Sequence, residues 1–228
     1  MDTAIGAPRH ARSDSGDDSD TSCSPDDGLV VPRSVQGLEQ VRYVHNAFPD
    51  SFMEMLESVR LETPVTLASG NMYADRRFLR DPHLAGEVLR YLPKDLGFTH
   101  VLSDMRFIEY PPGGHILPHT DGVRRDDVTN KDSTTSMLLF TTDVPDGEGG
   151  ETEFLESLGV EKTGGGVGGV GSVGSIGGDA SNANHGEPTV LFAARPTRGS
   201  ILLFPHHVPH RGACVGSHVK ILLRGDLY

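Results

Sequence analysis

His119-Thr120-Asp121 places an imidazole and a carboxylate two positions apart within YPPGGHILPHTDG, residues 110–122. On a strand, positions i and i+2 face the same side, so His119 and Asp121 can each offer a ligand atom to one cation. In a chain of 228 residues with 11 His, about one such triplet is expected by chance. Taken alone, it is a turn histidine with an acidic neighbour. One more imidazole would complete a face of two histidines and one carboxylate with coordination positions left open, the arrangement suited to non-haem Fe(II). The candidates for that third ligand cluster far downstream in FPHHVPHRG: His206, His207 and His210.

A second pattern follows in HVKILLRGDLY, where Lys220, Leu222 and Arg224 alternate with Val219, Ile221 and Leu223. On pattern alone this is an edge strand with its cations in water. If the Lys220 face instead points into a barrel, each cation needs an anionic partner, because an unpaired buried charge is very costly. A dicarboxylate co-substrate would supply one. The rival metal chemistry is a zinc hydrolase built on His206, His207 and His210. It lacks a carboxylate at the HExxH spacing and leaves Lys220 without a task.

These residues need a scaffold, and the periodicity describes one. In PDSFMEMLESVR, Asp50 or Ser51 can cap a helix, and Phe52, Met55, Leu56 and Val59 form its apolar stripe. DPHLAGEVLRYLP has the same logic, with Asp81 as cap, Pro82 at the first helical position, Leu84, Val88 and Leu89 inward, and Pro93 as stop. From MRFIEY onward the period changes. SMLLFTTDV, ETEFLE, TVLFAA, SILLF and HVKILLRGDLY are short, apolar and separated by Gly, Pro and Asp turns. Helices followed by a run of short strands predict helices supporting a β-sandwich or barrel.

Residues 1–33 are rich in Asp, Ser, Gly and Pro, and their composition predicts a disordered acidic leader. They carry seven Asp and three Arg, so −4 of the formal net charge of −12 sits there and −8 in the rest. An acidic domain has no general attraction to phosphate backbones, so general nucleic-acid binding is not expected, although a local basic groove is compatible. Residues 157–188 include eleven glycines in thirty-two positions and predict a flexible insertion, either a mobile lid or a spacer. No apolar run approaches the roughly 20 residues of a membrane span. The two cysteines, Cys23 and Cys214, make no disulfide framework. Together these point to a cytoplasmic or nuclear protein.

In order along the chain, four segments resemble the prolyl-4-hydroxylase-like branch of the Fe(II)/2-oxoglutarate-dependent dioxygenases. YPPGGHILPHTD is similar to the family's Tyr-x-x-Gly-Gly-x-x-x-Pro-His-x-Asp. SMLLFTTDVPDGEGGETEF is similar to its central strand, turn and Gly-Gly-x-Thr-x-Phe, and RPTRGSILLF to its Pro-x-x-Gly segment and apolar strand. HRGACVGSHVKILLRGDLY is similar to the distal histidine, the turn after it, and a lysine ten positions beyond that histidine. The resemblance covers roughly residues 100–228 apart from the glycine-rich insertion, and NMYADRRFLRDPHLAGEVL looks like the family's upstream helical region.

The resemblance implies a mainly β fold: a double-stranded β-helix (jelly-roll) core over about 100–228, with supporting N-terminal helices over about 34–98, in one dioxygenase domain of residues 34–228. It implies that His119, Asp121 and His210 are the Fe(II) ligands and the catalytic centre, with His206 and His207 as neighbouring loop residues. Lys220 would bind the C5 carboxylate of 2-oxoglutarate. Arg224 is a second candidate for that end, its alternative being an ion pair with Asp226. Tyr110 would pack or reach the co-substrate, and Gly149 and Gly150 would let the backbone pass close at a turn. Ile116, Leu117 and Phe140 depart from the residues common in relatives, which bears on substrate choice. The implied activity is hydroxylation of a C–H bond, on a peptidyl substrate of the prolyl type, with release of succinate and CO2 and with ascorbate keeping the iron reduced. The alternative function is a catalytically silent jelly-roll binding module, against which all five key positions are filled. The pattern of residues names no individual substrate.

Overall fold

The computed structural model describes residues 29–30, 35–66, 73–158 and 187–228. Most of the expected leader and most of the glycine-rich insertion, including Cys23, lie outside the described residues. One part of the leader does not fit its composition. Leu29–Val30 forms a short strand (β1) paired with Arg42–Val44 (β2) through Leu29↔Val44 and Val30↔Tyr43.

Two helices support the sheets. The first, α1 (Asp50–Glu62), starts after Pro49 with no side-chain cap, so neither Asp50 nor Ser51 plays the expected role. Asp50 pairs with Arg198 instead. The buried face is also rotated from the expected stripe: Phe52, Met53, Leu56 and Arg60 point inward, while Met55 is 38% exposed. Arg60 can turn inward because Glu57 and Glu109 both accept hydrogen bonds from it. The second helix, α2 (Pro82–Tyr91), follows its sequence signals. The Asp81 carboxylate accepts from the backbone N–H groups of His83 and Leu84, Pro82 opens the helix, and Leu84, Ala85 and Val88 are buried. No helix among the described residues is long and apolar enough to cross a membrane.

Two antiparallel sheets make the jelly-roll core. The larger has the order β1-β2-β9-β6-β11-β4-β3 and the smaller β5-β10-β7-β8. Their remaining members are β3 (Asp75–Arg80), β4 (Asp104–Tyr110), β5 (Ile116–His119), β6 (Thr135–Phe140), β7 (Thr152–Leu155), β8 (Val190–Ala194), β9 (Ile201–Pro205), β10 (His210–Gly212) and β11 (Lys220–Leu227). The resemblance puts Asp75–Arg80 in a helical region, but it is a strand at the edge of the larger sheet. Arg77 on that strand pairs with Glu109 of β4, and no apolar stripe of helical period runs through DRRFLR.

Both faces of the larger sheet are covered, which is why its strands read as near-continuous apolar runs. Met105, Phe107, Met137, Leu139, Ile201, Leu203 and Leu223 pack against the helices. Ile108, Tyr110, Leu138, Phe140, Leu202, Phe204 and Leu222 face the smaller sheet and meet its Phe154. Strand β11 is therefore no edge strand. It lies between β6 and β4, and its alternation sends Leu223 to the helices and Lys220, Leu222 and Arg224 into the space between the sheets. Gly149 makes the expected close approach: it has φ +69°, and a Cβ there would meet the Cys214 carbonyl oxygen.

Candidate metal centre

His119 ends β5 and His210 begins β10, and the antiparallel register pairs them directly. Their ring centroids are 4.3 Å apart. Each ring has its Nδ1 at a carbonyl two residues back, His119 at Leu117 O (2.8 Å) and His210 at Val208 O (2.9 Å). A carbonyl only accepts, so Nδ1 carries the proton in both rings and Nε2 presents its lone pair. Such a hydrogen bond fixes tautomer and ring orientation in metal-binding histidines.

Asp121 lies just beyond β5, so the pleat alone does not place it. Its backbone N–H donates to His206 O at 2.9 Å, tying the residue to the turn after β9. Its two carboxylate oxygens sit 3.8 Å from His119 Nε2 and 3.8 Å from His210 Nε2. Ligand atoms of His119, Asp121 and His210 all lie within 4.8 Å of one another, the one such cluster among the described residues. The rival histidine cluster does not form, because His206 binds serines and His207 is exposed.

Protonation suits metal binding. Burial pulls the His210 imidazole down to about 4, with His119 acting the same way, so it is neutral at physiological pH. Burial raises the Asp121 carboxyl, but Arg224, His210, the Ser136 hydrogen bond and His119 outweigh it and bring the group down to about 2. Imidazole nitrogens and an ionised carboxylate are the donor types that a divalent first-row metal such as Fe(II) takes, and the site fits it.

Behind Asp121 runs a polar chain in which every donor has an acceptor. The Arg124 N–H donates to Ser133 Oγ (2.9 Å), and the Ser133 hydroxyl donates to His206 Nε2 (2.8 Å). His206 Nδ1–H then donates to Ser136 Oγ (2.8 Å), whose hydroxyl donates to Asp121 Oδ2 (2.5 Å). Burial keeps His206 neutral, as this direction of donation requires. The histidine-rich segment drew attention to His206 as a loop residue, but nothing local in the sequence links it to Asp121 through Ser136. Outer hydrogen-bond partners of metal ligands are commonly worth 10–100-fold in metal affinity. Ser136→Ala is therefore expected to weaken Fe(II) binding by ~10–100-fold with the fold intact, as an anaerobic metal titration beside a melting curve would show.

The ligand cluster opens into a cavity of about 200 Å³ lined by Ile108, Tyr110, Leu138, Lys220, Leu222 and Arg224, among others. Lys220 is 1% exposed. Its Nζ lies 5.1 Å from the Tyr110 ring centroid and 5.7 Å from that of Phe140, and it forms no ion pair among the described residues. Burial draws its pKa down to about 7, with the Glu151 carboxylate opposing from beyond ion-pair distance. Arg224 is engaged within the protein. One arm of its guanidinium is 3.0 Å from Asp226 and the other 3.1 Å from Asp121. The Asp226 pair is the alternative that the sequence left open, and the Asp121 contact is additional to it.

No family model matches the sequence, and no curated protein matches it. Solved structures do match the fold. The viral collagen prolyl hydroxylase of Paramecium Bursaria Chlorella virus-1, as its 2OG complex, is 14% identical, with 82% of this chain and 95% of that chain covered at a TM-score of 0.51. A Pseudomonas putida prolyl-4-hydroxylase is 16% identical, with 82% and 91% covered at 0.51. HygX from Streptomyces hygroscopicus, with nickel, 2-oxoglutarate and hygromycin B bound, is 10% identical, with 82% of each chain covered at 0.52. At these identities the likeness is one of fold.

Proposed function

We propose that this chain is an Fe(II)- and 2-oxoglutarate-dependent dioxygenase that hydroxylates a C–H bond and releases succinate and CO2. One observation carries the reading: a His/Asp/His ligand set and a buried lysine with no ion-pair partner among the described residues face the same cavity. A buried cation is costly unless an anion meets it, and a dicarboxylate spanning from metal to Lys220 answers that need. His119, Asp121 and His210 would hold Fe(II), and Lys220 would bind the C5 carboxylate of 2-oxoglutarate. When bound, iron and 2-oxoglutarate would activate O2, the four-electron oxidant whose atoms end in succinate and in the hydroxylated product, with ascorbate as the reductant that would restore Fe(II). The chain's own part is positioning. The Leu117 and Val208 carbonyls orient the two imidazoles, Ser136 and Arg224 hold both oxygens of Asp121, and Ile108, Leu138 and Leu222 exclude water. Arg224, with both arms on aspartates, acts on Asp121 and leaves the co-substrate to Lys220.

The resemblance implies a peptidyl, prolyl-type substrate. Of the three structures named above, two are prolyl hydroxylases and HygX holds hygromycin B, so the fold does not choose between peptides and small molecules. The reading is tested by adding Fe(II) and then 2-oxoglutarate anaerobically and following the visible charge-transfer absorbance of the complex. Folded, iron-loaded protein without that absorbance would leave the silent binding module standing.

A pH dependence follows from Lys220. Its amine must be protonated to attract a carboxylate, and its pKa without that partner is about 7. Below that value the lysine is cationic and affinity is flat with pH. Above it, binding must take up a proton, so affinity falls about tenfold per pH unit until the raised pKa of the bound state is reached. Calorimetric titration of 2-oxoglutarate into Mn(II)-loaded protein from pH 6 to 9 is expected to show this slope, and Lys220→Met to lack it.

A further inference from the structure

The cavity holds a cation that the proposed chemistry does not use. Arg106 on β4 stands directly opposite Arg224 on β11, and both side chains line the cavity, with Arg76 on the same wall. Like charges directly opposite on an antiparallel pair are destabilising. Asp226 and Asp121 compensate Arg224. Arg106 makes no ion pair or hydrogen bond among the described residues, and its Nε is buried without a partner. Burial, then the charges of Arg224 and Arg76, lower its pKa to about 10 against the weaker opposing pull of Asp226 and Asp121, neither of which pairs with it, and this leaves it cationic at neutral pH. Fe(II) and the 2-oxoglutarate dianion have opposite and equal charge, so filling the site as proposed above does not neutralise Arg106.

We propose that Arg106 is the seat of an anionic group on the substrate, a carboxylate or a phosphate carried on the end that enters the cavity. The register separates this seat from that of the co-substrate. Lys220 pairs with Tyr110, Leu222 with Ile108, and Arg224 with Arg106, so Lys220 and Arg106 are four residues apart along the strands, about 13 Å at ~3.3 Å per residue. Apolar Ile108 and Leu222 stand between them. Arg106 lies at the end where Arg224 touches Asp121, so the substrate's charge docks beside the metal ligands. A planar guanidinium takes carboxylate or phosphate oxygens two at a time. A cavity of about 200 Å³ admits only the end of a molecule, so the charge lies close to the carbon to be oxidised. An internal peptidyl proline has no charge there, and the substrate class moves accordingly to acids. The word substrate rests on the oxygenase reading; the anion seat itself does not.

Two sets of measurements on the full chain keep these apart. In the first, melting temperatures of metal-free protein are followed against acetate and against inorganic phosphate. Because Lys220 can itself draw an anion, the comparison is made without it: Lys220→Met is expected to be stabilised with saturation, and the double variant Lys220→Met/Arg106→Met to show at least a tenfold weaker response. The anion with the lower half-saturation distinguishes carboxylate from phosphate. Arg106→Gln gives the same readout should the methionine variant fail to fold. In the second, 2-oxoglutarate is titrated into Fe(II)-loaded protein, with affinity in Arg106→Met expected within twofold of wild type. An undiminished anion response in Lys220→Met/Arg106→Met relative to Lys220→Met overturns the proposal, as does a loss of 2-oxoglutarate affinity in Arg106→Met as large as that in Lys220→Met. An anion response that depends on Arg106, in a protein that forms no 2-oxoglutarate complex, supports the seat and overturns the oxygenase reading alone.

Discussion

Asp121→Ala is expected to lose Fe(II) and with it the 2-oxoglutarate complex. The carboxylate is the one anionic donor in the cluster, and removing it leaves two imidazoles that bind a divalent ion weakly. Outer partners alone are worth 10–100-fold, so loss of the ligand itself is expected to exceed ~100-fold in Fe(II) affinity. There is a second consequence. Asp121 also faces one arm of Arg224 at 3.1 Å, and removing one partner of a buried pair costs roughly 3–5 kcal/mol. Arg224 keeps Asp226 at 3.0 Å, so the loss of stability falls at or below the lower end of that range. Asp121→Asn preserves shape and one acceptor, and is expected to lose iron while melting closer to wild type. Metal content after anaerobic loading, measured beside the melting curve, separates the two effects. Retention of Fe(II) by a folded Asp121→Ala protein would remove this residue from the ligand set.

Lys220→Met separates stability from function in the opposite sense. The co-substrate loses its one charged partner at the far end of the cavity. Truncating one side of a buried, hydrogen-bonded charge pair costs roughly 2–5 kcal/mol, so 2-oxoglutarate affinity is expected to fall ~30-fold or more. Without co-substrate the variant is the more stable protein, because the native state no longer holds a desolvated ammonium.

The sign follows from the pKa. Lys220 falls from its ordinary 10.5 to about 7 on folding. Between those values the unfolded chain binds more protons, and wild-type stability rises with pH. The cost of the charge is therefore fully present below about pH 7 and fades as pH rises toward 10.5. Replacing buried charge by a well-packed apolar residue commonly stabilises by ~1–4 kcal/mol, and ~2–4 °C of melting temperature accompanies each kcal/mol at this size. Lys220→Met is expected to melt several degrees higher at pH 6, with the gap narrowed by more than half at pH 9 and closed only near pH 10.5. A variant that melts lower at pH 6 would mean that Lys220 has a compensating partner in the protein.

What the sequence determined by itself is the local part of this architecture. The cap and proline of α2 and the alternation in HVKILLRGDLY are set by neighbours within a few positions, where helical and strand periods hold; the HxD triplet named its two ligands, but Asp121 lies beyond the strand and is placed by His206. The ordered motifs also carried the jelly-roll fold and the choice of His210 over His206 and His207. For α1, both the cap and the buried face differ from the pattern, because an arginine paired with Glu109 can occupy the inner face as well as a methionine. Asp75–Arg80 gave no signal of its own and is a strand because β4 offers it an edge.

The tertiary structure alone decided which face of β11 is buried and what its cations meet. Lys220 and Arg224 look the same on an edge strand in water as on a central strand facing a cavity. Only pairing to both β4 and β6 excludes the first arrangement. The chain from Ser133 through His206 and Ser136 to Asp121, and the opposition of Arg106 to Arg224, depend on the register between strands seventy or more residues apart. Register is set by packing the whole sheet. A residue's chemistry is carried in its type, whereas its charge environment is created only when distant strands come together and exclude water.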